Sequence, residues 1–145
     1  MSSAKGRFLL MFAVICAACT VWAEPEEALV GTWTNRAYNW TTKWAKIIMN
    51  EDATGTWYHN TFDPPAAENF PFQWKIEDKG KDGAGNTYYK IIFTFGPNNS
   101  FKLLMKLNPN GDYLEMITGG WNVSVYPSTM NPDDQFYFFF NREGK

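Results

Sequence analysis

Phe70, Phe72, Trp74 and Ile76 alternate with Pro71, Gln73, Lys75 and Glu77. A strict period of two is the repeat of an extended strand with one face in a core and one in water. A helix would repeat its apolar residues every three or four positions instead. The same pattern recurs along the chain. Tyr89, Ile91, Phe93 and Phe95 share one face, and Phe101, Leu103, Met105 and Leu107 share another, against Lys102 and Lys106. Nine strands are predicted, at about 29–36, 43–49, 54–61, 70–77, 88–95, 101–107, 113–118, 121–126 and 135–141. On the last, Phe136, Phe138 and Phe140 lie on one face and Tyr137 and Phe139 on the other.

Polar turns separate these strands. Asn50-Glu51-Asp52-Ala53 and Asn108-Pro109-Asn110-Gly111-Asp112 carry residues that tolerate left-handed backbone and bond their own amides. The segment 63–69 holds Pro64 and Pro65, which lack amide donors, so it reads as a loop. Segments 78–87, 96–100 and 127–134 read as loops as well, and Gly119-Gly120 as a turn. Pro71 belongs at a sheet edge or before pairing begins, and Gly55 weakens a strand interior, as a bulge would allow. No stretch has helical periodicity. The expectation is an all-β, antiparallel, up-and-down β-barrel of about eight to nine strands, whose first and last strands pair with each other.

The first 23 residues stand apart. Lys5 and Arg7 precede an apolar run of eleven residues, Phe8 to Ala18, and Val21-Trp22-Ala23 offers small residues at a cleavage site. The run is shorter than the ~20 residues a membrane-spanning helix needs, so residues 1–23 read as a secretory signal peptide. Two processing readings stay open: cleavage after Ala23, or lipidation at Cys19, where Ala17-Ala18-Cys19 fits a lipobox. Residues 24–28 would be an exposed leader and 29–145 the barrel domain. The chain is expected to be exported, to the periplasm, the outer envelope or the extracellular space.

The two cysteines, Cys16 and Cys19, both lie in this leader, so the barrel is expected to carry no disulfide. Loss of Lys5 and Arg7 leaves 11 basic against 15 acidic residues, a net charge of −4. The charges are scattered, with no basic stripe, which argues against nucleic acid. Membrane contact is expected only through a lipid at Cys19.

Three motifs stand in order: Leu29-Val30-Gly31-Thr32-Trp33, then Asn50-Glu51-Asp52-Ala53-Thr54-Gly55-Thr56-Trp57, then Phe72-Gln73-Trp74-Lys75-Ile76-Glu77. Together they resemble the small bacterial lipocalin-like domains of the calycin superfamily, over about residues 29–113. The resemblance implies that a basic side chain from the last strand closes one end of the barrel over the opening Trp. Here that pairs Arg142 with Trp33. The opening Gly31-Thr32-Trp33-Thr34-Asn35 is also similar to that of the avidins, in which Asn35 would stand at the first ligand-binding position.

Catalytic signals are thin. His59 is the sole histidine, without a nucleophile nearby in sequence or companion metal ligands. The acidic pairs Glu51-Asp52 and Asp133-Asp134 fall in turns. No phosphate loop or nucleophile elbow occurs. The expectation is a protein that is not an enzyme and uses no cofactor or metal. Seven Trp, seven Tyr and twelve Phe are more than core filling demands. A barrel of about eight strands is either filled by side chains or holds one small ligand. The candidates for an apolar cup are Trp40, Trp44, Trp57, Tyr58, Trp74 and Trp121. His59 or Tyr58, on opposite strand faces, would supply one polar group. The partner would then be a small apolar or aromatic molecule. The alternative is a filled barrel acting on a protein partner through loops 63–69 and 127–134.

Overall fold

The structure is a computed structural model that describes residues 26–35, 44–60, 68–119 and 124–144. A 3-10 turn at Glu27–Leu29 leads into β1 (Gly31–Asn35), β2 (Trp44–Met49), β3 (Thr54–Asn60) and β4 (Glu68–Lys81). These are followed by β5 (Thr87–Phe95), β6 (Asn99–Leu107), β7 (Tyr113–Thr118) and β8 (Tyr137–Arg142). Each strand pairs antiparallel with the next. β8 returns to β1, with Trp33 opposite Arg142 and Thr34 opposite Asn141, so the sheet closes as an up-and-down barrel. Closure pairs the two terminal strands, which in an open sheet would each present a row of unsatisfied backbone groups.

The turns after β2, β4 and β6 gather at one end, which the 3-10 turn and Arg142 close. The guanidinium of Arg142 lies over the Trp33 ring. It donates to the carbonyls of Gly111 (2.8 Å), Val30 (2.9 Å) and Ala28. The Trp33 indole N–H donates to the Leu29 carbonyl at 3.0 Å. Arg142 thus ties together the N-terminal turn, the β6–β7 turn and the last strand.

The interior follows from period two. Trp33, Ile47, Ile91, Met105, Leu114 and Phe140 point inward and are each 0% exposed. A side chain with no accessible surface borders no void large enough for water, so the closed half of the barrel is filled. Phe72 stacks on Phe93 at 4.2 Å, in the space that Gly55 leaves on the neighbouring strand.

Two sequence expectations change. β4 does not stop at residue 77 but runs for 14 residues to Lys81, and the 78–87 loop shrinks to 82–86. Glu77 is the extra residue of a bulge, because the register steps between Ile76 and Asp78. Asp78 to Lys81 then pair with Lys90 to Thr87. The Asp82 carboxylate folds the remaining turn, accepting from the amides of Ala84 (2.9 Å) and Asn86 (3.0 Å). Upstream, Glu68 and Asn69 belong to β4 rather than to a loop, and residues 63–67 lie outside the described set. Pro71 pairs with β3 but lies beyond the last β5 partner, where its missing amide costs no ladder bond.

The strand predicted at 121–126 is also corrected: residues 124–126 are irregular, and 121–123 lie outside the described set. β7 pairs with β6 on one side and β8 on the other, so no edge is left for another strand beside it. Residues 124–136 instead lie against the outer wall as a strap. The Tyr126 hydroxyl donates to the Glu77 carboxylate, and Lys102 Nζ sits 4.8 Å from the Tyr126 ring centroid. Leu104, Ile117 and Tyr137, cross-strand neighbours facing outward, are buried beside the strap.

Candidate functional site

The end reached by the turns after β1, β3, β5 and β7 is where aromatic side chains lose full burial. Trp57 of β3, Phe95 of β5, Phe101 of β6 and Phe138 of β8 pack against the core but are only partly covered. Each points inward by strand alternation, one layer above the filled half. Trp57 meets Phe138 edge to face at 5.2 Å and Phe140 at 6.2 Å. β3 and β8 are not neighbours in the sheet, so these contacts cross the barrel interior. Phe95 and Phe101, on adjacent strands, form a second edge-to-face pair at 5.5 Å. Such pairs hold rings in fixed orientations beyond what area burial alone provides. Phe70 at the start of β4 is 41% exposed and Phe136, just before β8, 43%. Asn35, the buried polar residue among those described, ends β1 at this layer.

The sequence candidates are distributed unevenly about this layer. Trp57 belongs to it. Trp74 points inward but sits lower, buried, with its indole N–H donating to the Thr54 carbonyl at 3.0 Å. Tyr58 faces the outer wall, where Lys46 Nζ lies 5.6 Å from its ring centroid. Trp44 and His59 are placed in β2 and β3 by backbone pairing, His59 opposite Ala45 and Glu68. Trp40, Trp121 and Cys19 lie outside the described residues. Phe70, Phe95, Phe101, Phe136 and Phe138 were missed as candidates. Inward parity combined with nearness to the turns after β3, β5 and β7 could have found them. Tryptophan identity alone could not.

Polar chemistry lies on the outer wall rather than in this layer. Glu115 of β7 accepts from the Tyr137 hydroxyl at 2.5 Å and pairs with Lys106 at 3.4 Å. Burial, then the bond to Glu115, holds the Tyr137 phenol far above its ordinary value. Tyr126 is raised for the same two reasons, with Glu77 as its partner. Both phenols are therefore neutral donors at physiological pH. Among the described residues, no three His, Cys, Asp or Glu side chains gather as a metal site. What the open layer offers is flat apolar surface set over a packed floor.

Compared with known protein families, with curated proteins and with solved structures, the chain matches none.

Proposed function

We propose that the protein is an exported, lipocalin-like, non-enzymatic barrel that binds one small apolar or aromatic molecule at its open end. The observation that carries this reading is the partly covered aromatic layer of Trp57, Phe95, Phe101 and Phe138 above a filled lower barrel. The packed floor limits the ligand to a molecule of one or two rings. Burying ~300 Å² of apolar surface would contribute about 7 kcal/mol before association costs. Those costs are at least about 4 kcal/mol, which leaves about 3 kcal/mol and puts the affinity in the millimolar range. The likeness to lipocalin-like domains rests on the Gly31-Thr32-Trp33 opening, the closed eight-stranded topology and Arg142 over Trp33. The case for export rests on the sequence of residues 1–23.

The test uses the full chain and the neutral fluorescent probe N-phenyl-1-naphthylamine. Trp57→Ala and Phe138→Ala should each weaken probe binding about tenfold, the loss of one buried ring contact, whereas Tyr58→Ala should leave it unchanged. Equal binding by all three variants would sink the reading. Native mass spectrometry of the protein recovered from a bacterial host would resolve the address. A chain starting at Glu24 supports simple export, and an acylated chain starting at Cys19 supports a lipoprotein.

A second reading has its own support. Phe70, Phe136 and Val125 are exposed near the open end and on the strap, while the barrel below is filled. That pattern suits a protein-binding module. It predicts co-purification of a protein partner that is lost in Phe70→Ser and Phe136→Ser, with no probe binding at the open end.

A further inference from the structure

A groove of about 520 Å³ crosses the outer wall over β3 to β6. That is within the size range of small-molecule sites. It shares no lining residue with the open-end layer, and its chemistry is different. Strand register builds it from two rows. The first runs Thr54, Gln73, Thr94, Ser100 across β3, β4, β5 and β6. The second sets Lys75 beside Ile92 one step nearer the closed end. Adjacent strands lie ~4.8 Å apart, so the first row sets four hydrogen-bonding side chains over roughly 14 Å.

Three features bear on what could lie there. The backbone of this face is consumed by the sheet, so an extended peptide cannot add as a strand, and recognition must come from side chains. The Thr54 hydroxyl is committed to Asp52 and Asn50, but the Gln73 amide and the Thr94 and Ser100 hydroxyls can each donate and accept, which matches neighbouring hydroxyls of a sugar. Thr94 and Ser100 already approach to 3.5 Å, presenting their oxygens together. In the second row, Lys75 has no ion-pair partner among the described residues, and Ile92 offers methyl surface beside it. An ammonium beside an apolar patch suits a ring that carries a carboxylate and packs a C–H face. It is too little positive charge for a nucleic-acid backbone.

The lip of the groove is strained. Ala53 holds φ at 67°, a conformation that glycine adopts freely and alanine only at a cost. It lines the groove. Asp52, on the same lip, has its Oδ1 occupied by the Thr54 amide (3.1 Å) and hydroxyl (2.5 Å), so it braces the turn.

We propose that this outer-wall groove binds a short acidic oligosaccharide, with Lys75 taking a carboxylate, Gln73, Thr94 and Ser100 taking ring hydroxyls, and Ile92 packing against a sugar face.

The full chain, isotopically labelled, would be titrated with trigalacturonic acid while backbone amide shifts are followed. The expected result is perturbation confined to residues 52–54, 73–75, 92–94 and 100. Lys75→Gln and Thr94→Val should each weaken binding about tenfold, and neutral maltotriose should bind the native protein at least about tenfold more weakly. Trp57→Ala should bind the trisaccharide as the native protein does, which separates this site from the open-end one. The proposal is overturned if no shift appears at these residues at millimolar ligand, or if Lys75→Gln binds equally well. It is also overturned if monomeric galacturonic acid binds as tightly as the trimer, since the hydroxyl row would then contribute nothing.

Discussion

Arg142 and Trp33 are direct cross-strand partners at the seam of the barrel, and the guanidinium carbon lies 4.4 Å from the indole centroid. The same guanidinium satisfies three backbone carbonyls from two other parts of the chain. Closure of the sheet, closure of the barrel end and docking of the N-terminal turn therefore share one side chain.

Arg142→Ala should destabilise the protein by about 2–4 kcal/mol, because charge-assisted bonds and a cation–π contact are lost together and carbonyls are left short of donors. Lysine cannot reproduce the planar fork, so Arg142→Lys should recover less than half of the loss. Urea unfolding of the three proteins measures this. A loss well under 1 kcal/mol for Arg142→Ala would mean that the seam is held elsewhere.

A methyl group at Gly55 would sit 2.4 Å from Phe72 Cζ and 2.6 Å from the Ile48 carbonyl oxygen. Phe72 is stacked on Phe93 and cannot swing away, and the Ile48 oxygen is backbone. Gly55→Ala should cost about 2–3 kcal/mol. Adding Phe72→Leu should relieve part of that strain, so the double variant should be more stable than the sum of the two single changes. Strict additivity in thermal unfolding would contradict the account.

Tyr89 is buried at the closed end, and burial, reinforced by the Glu26 carboxylate, pushes its phenol up to about 12. The unfolded chain ionises this group near pH 10. Its contribution to stability is complete below that pH and is lost as pH rises from about 10 to about 12. Unfolding free energy measured across this window should fall, and Tyr89→Phe should flatten the fall. An unchanged slope in the variant would show that other groups carry it.

The strap is held by the Tyr126–Glu77 hydrogen bond and by Lys102 and Lys90 against the Tyr126 ring. Tyr126→Phe and Glu77→Gln should each cost no more than about 1.5 kcal/mol globally. Amide exchange should nevertheless speed up across 124–136 while β1 and β2 stay unchanged. Tyr126→Ala, which also removes the ring, should have the larger effect. Uniform exchange in all four proteins would show that the strap is held by other contacts.

Much of the barrel is written locally. The alternation from Phe70 to Ile76 sets an inward face without reference to any other segment, because successive side chains in a strand point to opposite sides. The Asn50–Ala53 turn is equally local: Asp52 bonds its own neighbour Thr54. Arg142 over Trp33 was legible only through a family resemblance, since the two residues are 109 positions apart.

The open-end layer was half legible. Trp57 was recognised by its ring, but its companions Phe95, Phe101 and Phe138 matter through their height in the barrel. Height depends on register around the closed sheet. The outer-wall groove was invisible for the same reason: Thr54, Gln73, Thr94 and Ser100 become a row only when four strands align.

Residues 78–81 and 121–126 mark the boundary between the two kinds of information. Asp78-Lys79-Gly80-Lys81 has the composition of a loop but is strand, because Thr87 to Lys90 across the hairpin need partners and a bulge at Glu77 restores the register. Trp121 to Tyr126 has the alternation of a strand, yet described residues 124–126 are not one, because both edges of β7 are already taken. Period and turn chemistry are properties of neighbours in the chain, so the amino-acid order alone determined most of the strands, their inward faces and the all-β class. The number of hydrogen-bonding edges is a property of the closed sheet. Tertiary structure alone therefore decided which segments became strands at those edges, which aromatic rings reached the open end, and that Tyr126 left the sheet to lie on the wall.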